Sequence, residues 1–203
     1  MKLFLGILSC QKERGLHSLI RRTWGSKAKN LGIETRFFLE PPSDDKNKDF
    51  ERQDNDEVYA ASAAGLSGLP YKLREMCKWC VGKKIDNLFI CYTSTQLDPQ
   101  KLLLFLKENP GVDYAGRFNK PIGKTFPLHT VGPNDQPEHY EHCYPWARGE
   151  FGYFLSRKAY REIATEHPSS TIDDLWVGQV LGVLAAEGEI IPLDIAGKTE
   201  EGT

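Results

Sequence analysis

Ile85-Asp86-Asn87-Leu88-Phe89-Ile90-Cys91-Tyr92-Thr93-Ser94-Thr95-Gln96-Leu97-Asp98 runs from an apolar strand, through a polar turn, to the cap of a helix. Asp86 to Cys91 has strand length and few polar side chains, the pattern of a strand covered on both faces. Tyr92, Thr93 and Ser94 make the turn. Asp98 before Pro99 suits a helix N-cap followed by a first-turn proline. Leu102 to Leu106 give that helix its apolar body, and Asn109-Pro110-Gly111 stop it.

The same alternation continues on either side. Upstream, Lys2 to Ser9 is a near-continuous apolar run and reads as a first buried strand. Gln11 to Gly15 is a turn, and His17 to Trp24 a helix with Leu16, Leu19 and Ile20 as its inner face. Arg21 and Arg22 close that helix, where cations complement its dipole. Ile33 to Leu39 is a second strand. Pro41 to Glu57 is an acidic surface loop; its Asp54-Asn55-Asp56 has the letters of a metal-binding DxD, but no apolar strand leads into it. Val58 to Leu69, poor in large residues, fits helix or loop. Tyr71 to Val81 is a helix with Leu73, Met76, Cys77 and Cys80 in one stripe.

Downstream, Val112 to Gly116 is a strand, and Asn119 to Cys143 a long Pro/Gly/His-rich excursion of the kind that often serves as a binding lid. Arg157 to Glu166 is a helix. Ser169 to Thr171 can cap the last one, Asp173 to Ala186, whose Trp176, Val180, Val183 and Leu184 share a face. Glu189 to Leu193 is a final strand. Strands alternating with helices make an α/β fold with a mixed, mostly parallel sheet and helices on both faces.

At 203 residues the chain suits a single domain with a sizeable core. A net charge of −2 gives no bulk attraction to nucleic acid or an acidic membrane. MKLFLGILSC superficially resembles a secretion signal, but the charged Gln11-Lys12-Glu13-Arg14 follows with no convincing cleavage pattern, so a core strand is the better reading. No run approaches the ~18 apolar residues of a membrane span. Cys10, Cys77, Cys80, Cys91 and Cys143 are irregularly spaced. Cys77-Lys78-Trp79-Cys80 is a CxxC without a second ligand pair, so its cysteines read as core rather than as a zinc or redox site.

Four blocks, in order, resemble the β-1,3-galactosyltransferase/Fringe family of inverting glycosyltransferases. Ile20-Arg21-Arg22-Thr23-Trp24-Gly25 looks like its IRxTWG block, and Leu88 to Pro99 like its strand, DDD-type turn and following helix start. Tyr144 to Ser156 looks like its YP…G…GY…LS block, and Asp173-Asp174-Leu175-Trp176-Val177-Gly178 like its EDVxVG block. Asp113 to Arg117 adds to the match, which spans most of the chain. The resemblance implies a GT-A-like single domain over 1–203, with a nucleotide-binding half at 1–116 and an acceptor-side half at 117–203. It also implies transfer of a hexose from a nucleotide-sugar donor, UDP-sugar above all, to a glycan hydroxyl.

Further implications follow residue by residue. Asp174, with Asp173 as the alternative, is the base that takes the acceptor proton, although either carboxylate also suits the first turn of a helix. Ser9, Arg21, Tyr92, Thr93 and Ser94 lie on the nucleotide side; Arg21 fits a helix-end cation equally well. Trp146, Arg148 and Gly149 lie on the acceptor side, with Trp146 either stacking on a sugar or packing a loop, and Trp24 suits the core. Relatives use Mn²⁺ or Mg²⁺ held on strand-end aspartates, and are commonly anchored in the Golgi; the chain as given is equally consistent with a soluble microbial or viral member.

The chain departs from the family at that metal motif. Tyr92-Thr93-Ser94 replaces carboxylates with a phenol and hydroxyls, poor ligands for a hard cation. The upstream Asp-x-Tyr-x-Asn-Leu segment reads Ala64-Gly65-Leu66-Ser67-Gly68-Leu69, Arg148 stands where relatives have a small or acidic residue, and no histidine follows His167. Such a chain is either a transferase that dispenses with a tightly held metal, using Arg148, Arg21 or loop lysines on the diphosphate, or an impaired module that binds nucleotide-sugar or glycan.

Overall fold

The structure is a computed structural model that describes residues 2–42, 53–54, 56–60, 62, 65–119, 126–128, 138–140 and 144–196. In chain order the elements are β1 (Leu3–Leu8), α1 (Arg14–Arg22), α2 (Trp24–Asn30), β2 (Glu34–Leu39), β3 (Gln53–Asp54), β4 (Glu57–Tyr59), α3 (Leu69–Gly82) and β5 (Asn87–Tyr92). They continue with α4 (Pro99–Glu108), β6 (Tyr114–Gly116), β7 (Phe118–Asn119), β8 (Phe126–Leu128), β9 (Glu138–Tyr140), β10 (Trp146–Ala147), β11 (Tyr153–Ser156), α5 (Arg157–Thr165), α6 (Asp173–Ala186) and β12 (Pro192–Asp194).

Eight strands form one sheet in the order β12-β6-β11-β5-β1-β2-β4-β3. β4, β2, β1 and β5 run parallel as neighbours, and so do β6 and β12. β11 is antiparallel to both β5 and β6, and β3 to β4. β7 with β10, and β8 with β9, make two small ribbons. The sheet thus draws strands from both ends of the chain.

Period-two alternation divides the apolar side chains between two cores. Phe4, Leu8, Phe38, Leu88 and Ile90 point to one face, where Leu73, Met76, Tyr160, Ile163 and Trp176 of α3, α5 and α6 cover them. Leu3, Leu5, Ile7, Phe37, Leu39, Phe89 and Cys91 point to the other, under Ile20, Trp24, Ala28, Leu102 and Leu106 of α1, α2 and α4. Two covered faces explain why β1 and the middle of β5 are apolar throughout, whereas β2 is apolar only in its last three residues. Asp98 caps α4 as expected, its carboxylate accepting from the N–H groups of Gln100 and Lys101.

Four local expectations need correction. The inner face of α1 is His17 and Ile20, whereas Leu16 and Leu19 are 41% and 49% exposed. Hydropathy counts His17 as polar, but its ring stacks on Phe37 and both its nitrogens are hydrogen-bonded, so it turns inward. Glu57 to Tyr59 is a strand rather than helix or loop, because it extends the sheet beside β2. On α6, Trp176 is buried but Val183 is exposed; the buried set is Asp173, Leu175, Trp176, Val177, Gly178 and Leu181, since the helix packs against α3, α5 and β10 at once. Ile172, not Ser169 to Thr171, is its N-cap residue.

Cys77, Cys80 and Cys91 are free and buried in the two cores. Burial pushes the Cys77 and Cys80 thiols up and the Cys91 thiol up to about 12, the opposite of a reactive thiolate. Cys143 and most of the 119–143 excursion lie outside the described residues. Among the described residues, no helix is long and apolar enough to cross a membrane.

Candidate functional site

β1 and β5 lie side by side with Leu8 opposite Tyr92, so their C-terminal ends open at the same height. A cleft of about 480 Å³ begins there. Its walls include Leu8, Ser9 and Cys10 after β1, Tyr92, Thr93 and Ser94 after β5, Lys72 on α3, and Asp173 and Asp174 at the start of α6. In open α/β sheets a ligand crevice lies outside the carboxyl ends of the strands, so this is where one is expected.

The turn that replaces the aspartates is built inward. The Tyr92 hydroxyl donates to both carboxylate oxygens of Asp173, at 2.9 Å each. The Tyr92 N–H donates to Thr95 Oγ1 at 3.1 Å, and Thr95 Oγ1 to the Glu150 carbonyl at 3.3 Å. The Gly149 N–H donates to Asp174 Oδ2 at 2.9 Å. Gly149 has to be glycine: a Cβ there would lie 2.5 Å from the Tyr92 hydroxyl. Gly152 has φ of +74°, and a Cβ would meet the Phe89 ring at 2.6 Å. These two glycines let the turn before β11 lie directly on β5.

Burial pushes the Asp173 carboxyl up to about 7, with the neighbouring Asp174 charge adding to it. Asp174 is also raised, again by burial, although the Gly149 N–H pulls the other way. Burial and the same two carboxylates push the Tyr92 phenol up, which keeps it a donor. Asp173 therefore binds its proton more tightly in the folded protein than in the unfolded chain, where the ordinary value is about 3.9. Stability contributed by this group falls as pH rises from about 4 to about 7. Replacing Asp173 by Asn keeps the shape and removes that dependence. From pH 4 to pH 8, urea unfolding of Asp173→Asn should gain roughly 1–3 kcal/mol on the parent; a gap that is constant with pH rules the assignment out.

Opposite the acids stands Lys72, whose ammonium donates to the Ser9 carbonyl and, at 2.9 Å, to Glu40 Oε2. Burial pushes the Glu40 carboxyl up, but the Gln11 N–H at 3.0 Å and the Lys72 ammonium outweigh it and hold it below the usual range. Glu13 and Glu150 also border the cleft, leaving Lys72 as its one lining cation among the described residues. Lys72 was legible in principle: it falls between Leu69 and Leu73 on the inner stripe of α3, an unusual place for an amine.

The structure gathers Ser9, Tyr92, Thr93, Ser94, Asp173 and Asp174 on this cleft. Arg21 is elsewhere: its guanidinium clasps Asp56 at 2.8 and 2.6 Å and borders a different pocket with Phe37 and Ser26. That ion pair also occupies Asp56 of the Asp54-Asn55-Asp56 motif; Asn55 lies outside the described residues. Trp146 is 6% exposed and packs with Leu175 and Ile172, so its ring face is not open to a sugar. Arg148 pairs with Glu150 and lies over the Phe151 ring, 4.8 Å from its centroid.

A divalent cation held by strand-end carboxylates does not fit this donor set. The β5 end offers a phenol already committed to Asp173, and hydroxyls. Among the described residues no three His, Cys, Asp or Glu side chains are grouped to hold a metal ion.

No family model matches the sequence, and no curated protein matches it. Solved structures resemble the fold. One is a glycosyltransferase involved in the glycosylation of the major capsid of PBCV-1, with a TM-score of 0.52 and 10% identity over 96% of this chain and 82% of that one. Another is a CMP:2-keto-3-deoxy-manno-octonic acid synthetase complexed with CTP, with a TM-score of 0.50 and 9% identity over 95% and 89%. At such identities the likeness is one of fold. The chain has a GT-A-like α/β fold, with its carboxylate pair and Lys72 on the cleft at the strand ends.

Proposed function

We infer that the chain takes a nucleotide-sugar donor, UDP-sugar first among candidates, into this cleft and transfers the sugar to a hydroxyl with inversion. The observation that carries the reading is the Asp173–Asp174 pair at the start of α6, set across one cleft from the ends of β1 and β5. Its sequence blocks resemble those of Fringe-like transferases, which supports the same assignment.

In the transfer, the acceptor oxygen attacks the anomeric carbon as the bond from that carbon to the diphosphate breaks. Asp174 takes the hydroxyl proton, and the nucleoside diphosphate leaves. Asp174 suits this better than Asp173, because Asp173 is fully enclosed and both its oxygens hold Tyr92. A second reading, a nucleotide-sugar-binding module without turnover, is favoured by one observation: the Tyr92 phenol sits on Asp173.

The test is a donor panel. Calorimetry measures binding of UDP-, GDP-, CMP- and dTDP-sugars, and nucleotide release is followed with and without glycan acceptors. Acceptor-dependent release, with donor affinity little changed by Mn²⁺, is the expected result. Binding without release selects the second reading, and no binding by any donor sinks both.

A further inference from the structure

The helices that cover the two faces of the sheet differ in charge. α1 carries three arginines and no acid, α2 two lysines and no acid, and α4 two lysines and Glu108. Counting the buried His17 as neutral, this layer holds six net positive charges in a chain whose formal net charge is −2. α3, α5 and α6 on the other face carry six cations and four acids. The chain's total therefore conceals a strongly basic side. Arg14 and Arg21 pair with Glu57 and Asp56. Among the described residues, Arg22, Lys27, Lys29, Lys101 and Lys107 are exposed without a carboxylate partner.

Leucines stand among these cations. α4 buries Pro99, Leu102 and Leu106, which leaves Lys101, Leu104 and Lys107 following one another at three-residue steps along its outer side. Leu104 is 54% exposed. α2 packs against α4, and Leu31 at its C-terminal end is 41% exposed. Leu31 and Leu104 line one groove of about 530 Å³ with Lys101, Leu103 and Lys107. Its one acid is Asp98, which is engaged in capping α4. On α1, Leu16 and Leu19 are exposed as well.

Exposed leucines grouped in this way mark a contact surface, and the charge around them selects the partner. A second copy docking by the same face would set cations against cations. Single-stranded nucleic acid matches the charge, but such sites add aromatic platforms for the bases, and no aromatic side chain lines this groove. An anionic bilayer matches both features: lipid phosphates meet the ammonium groups, while leucines and lysine stems enter the boundary beneath them. We propose that the α1–α2–α4 face is a peripheral docking surface for an anionic lipid membrane, with Leu31 and Leu104 as its apolar anchors and Lys101 and Lys107 as its headgroup contacts. This goes beyond the donor reading and does not depend on it. α3 and α6, which give the cleft Lys72, Asp173 and Asp174, lie on the opposite face, so docking leaves them uncovered.

Vesicle flotation of the full chain tests the proposal, with phosphatidylcholine vesicles set against an equimolar mixture of phosphatidylcholine and phosphatidylserine. The parent should float with the mixed vesicles and not with the neutral ones, and high salt should release it. Lys101→Gln with Lys107→Gln should weaken binding by about tenfold or more, the scale of two basic residues beside a charged surface. Leu31→Ser with Leu104→Ser should weaken it by about tenfold through lost apolar contact, with thermal unfolding close to that of the parent. Arg157→Gln with Arg161→Gln removes the same charge from α5 on the other face and should leave binding unchanged. An equal loss there would show attraction by total charge alone and overturn the proposal. Failure to bind mixed vesicles at low salt, or equal binding to neutral ones, overturns it too. So does a folded leucine variant that binds as the parent does; tight binding of a single-stranded polynucleotide by that variant would assign the face to nucleic acid instead.

Discussion

Asp174→Asn is expected to lower acceptor-dependent nucleotide release by about 10²- to 10⁴-fold, the usual share of a general base. Donor affinity should stay close to that of the parent, because Asn at this position can still accept the Gly149 N–H that holds Asp174 at 2.9 Å. The two effects are separated by steady-state release and calorimetry on the same preparations. Asp173→Asn serves as the internal comparison. Asp173 is enclosed beneath the Tyr92 hydroxyl, and its replacement should cost far less turnover. If Asp174→Asn turns over normally, the base assignment is wrong; if Asp173→Asn is the dead variant, the roles are exchanged.

The largest stability effect is expected at Lys72. Lys72→Met should destabilise the fold by about 3–5 kcal/mol, the scale seen when one partner of a buried ion pair is removed. Methionine has similar length and apolar bulk, so the stem's packing between β1 and α3 is retained. The loss comes from the Ser9 carbonyl and the Glu40 carboxylate, both left without their ammonium. Denaturant unfolding measures it, and Lys72→Met with Glu40→Gln should recover part of the loss.

The pH dependence gives a second check. Glu40 is held below the usual carboxylate range, so its contribution is present above about pH 4.3 and is lost as pH falls through its lower folded value. Without Lys72 that acid-side dependence should shrink. A Lys72→Met protein as stable as the parent would show that the pair contributes nothing net.

Where sequence reading succeeded, it succeeded through periodicity. Strands β1 and β5, and the Phe37-Phe38-Leu39 end of β2, show as apolar runs because both faces of the sheet are covered, and α4 shows through Asp98-Pro99 and its leucines. It failed where a polar residue is buried. His17 and Lys72 sit on inner faces because each finds partners from elements far away in the chain, Glu57 for one and Glu40 for the other. No local pattern announces such partners. Arg21 misled in the opposite sense: its place in a motif suggested a nucleotide contact, but Asp56 and Glu57 of the loop and strand before α3 claim it.

The sequence by itself determined that this is an α/β chain with a strand ending at Tyr92-Thr93-Ser94 and an adjacent carboxylate pair at the start of a late helix. Those features are local, set by side-chain period, capping and composition. Only the tertiary structure decided that the two meet, because β1, β5 and β11 are brought side by side by pairings 80 or more residues apart in sequence for β1 and β5, and more than 60 for β5 and β11. It also decided what the altered turn does. The Tyr92 phenol turns onto Asp173 instead of facing a cation, and Lys72, from a helix the motif does not include, is buried beside the cleft in an ion pair with Glu40.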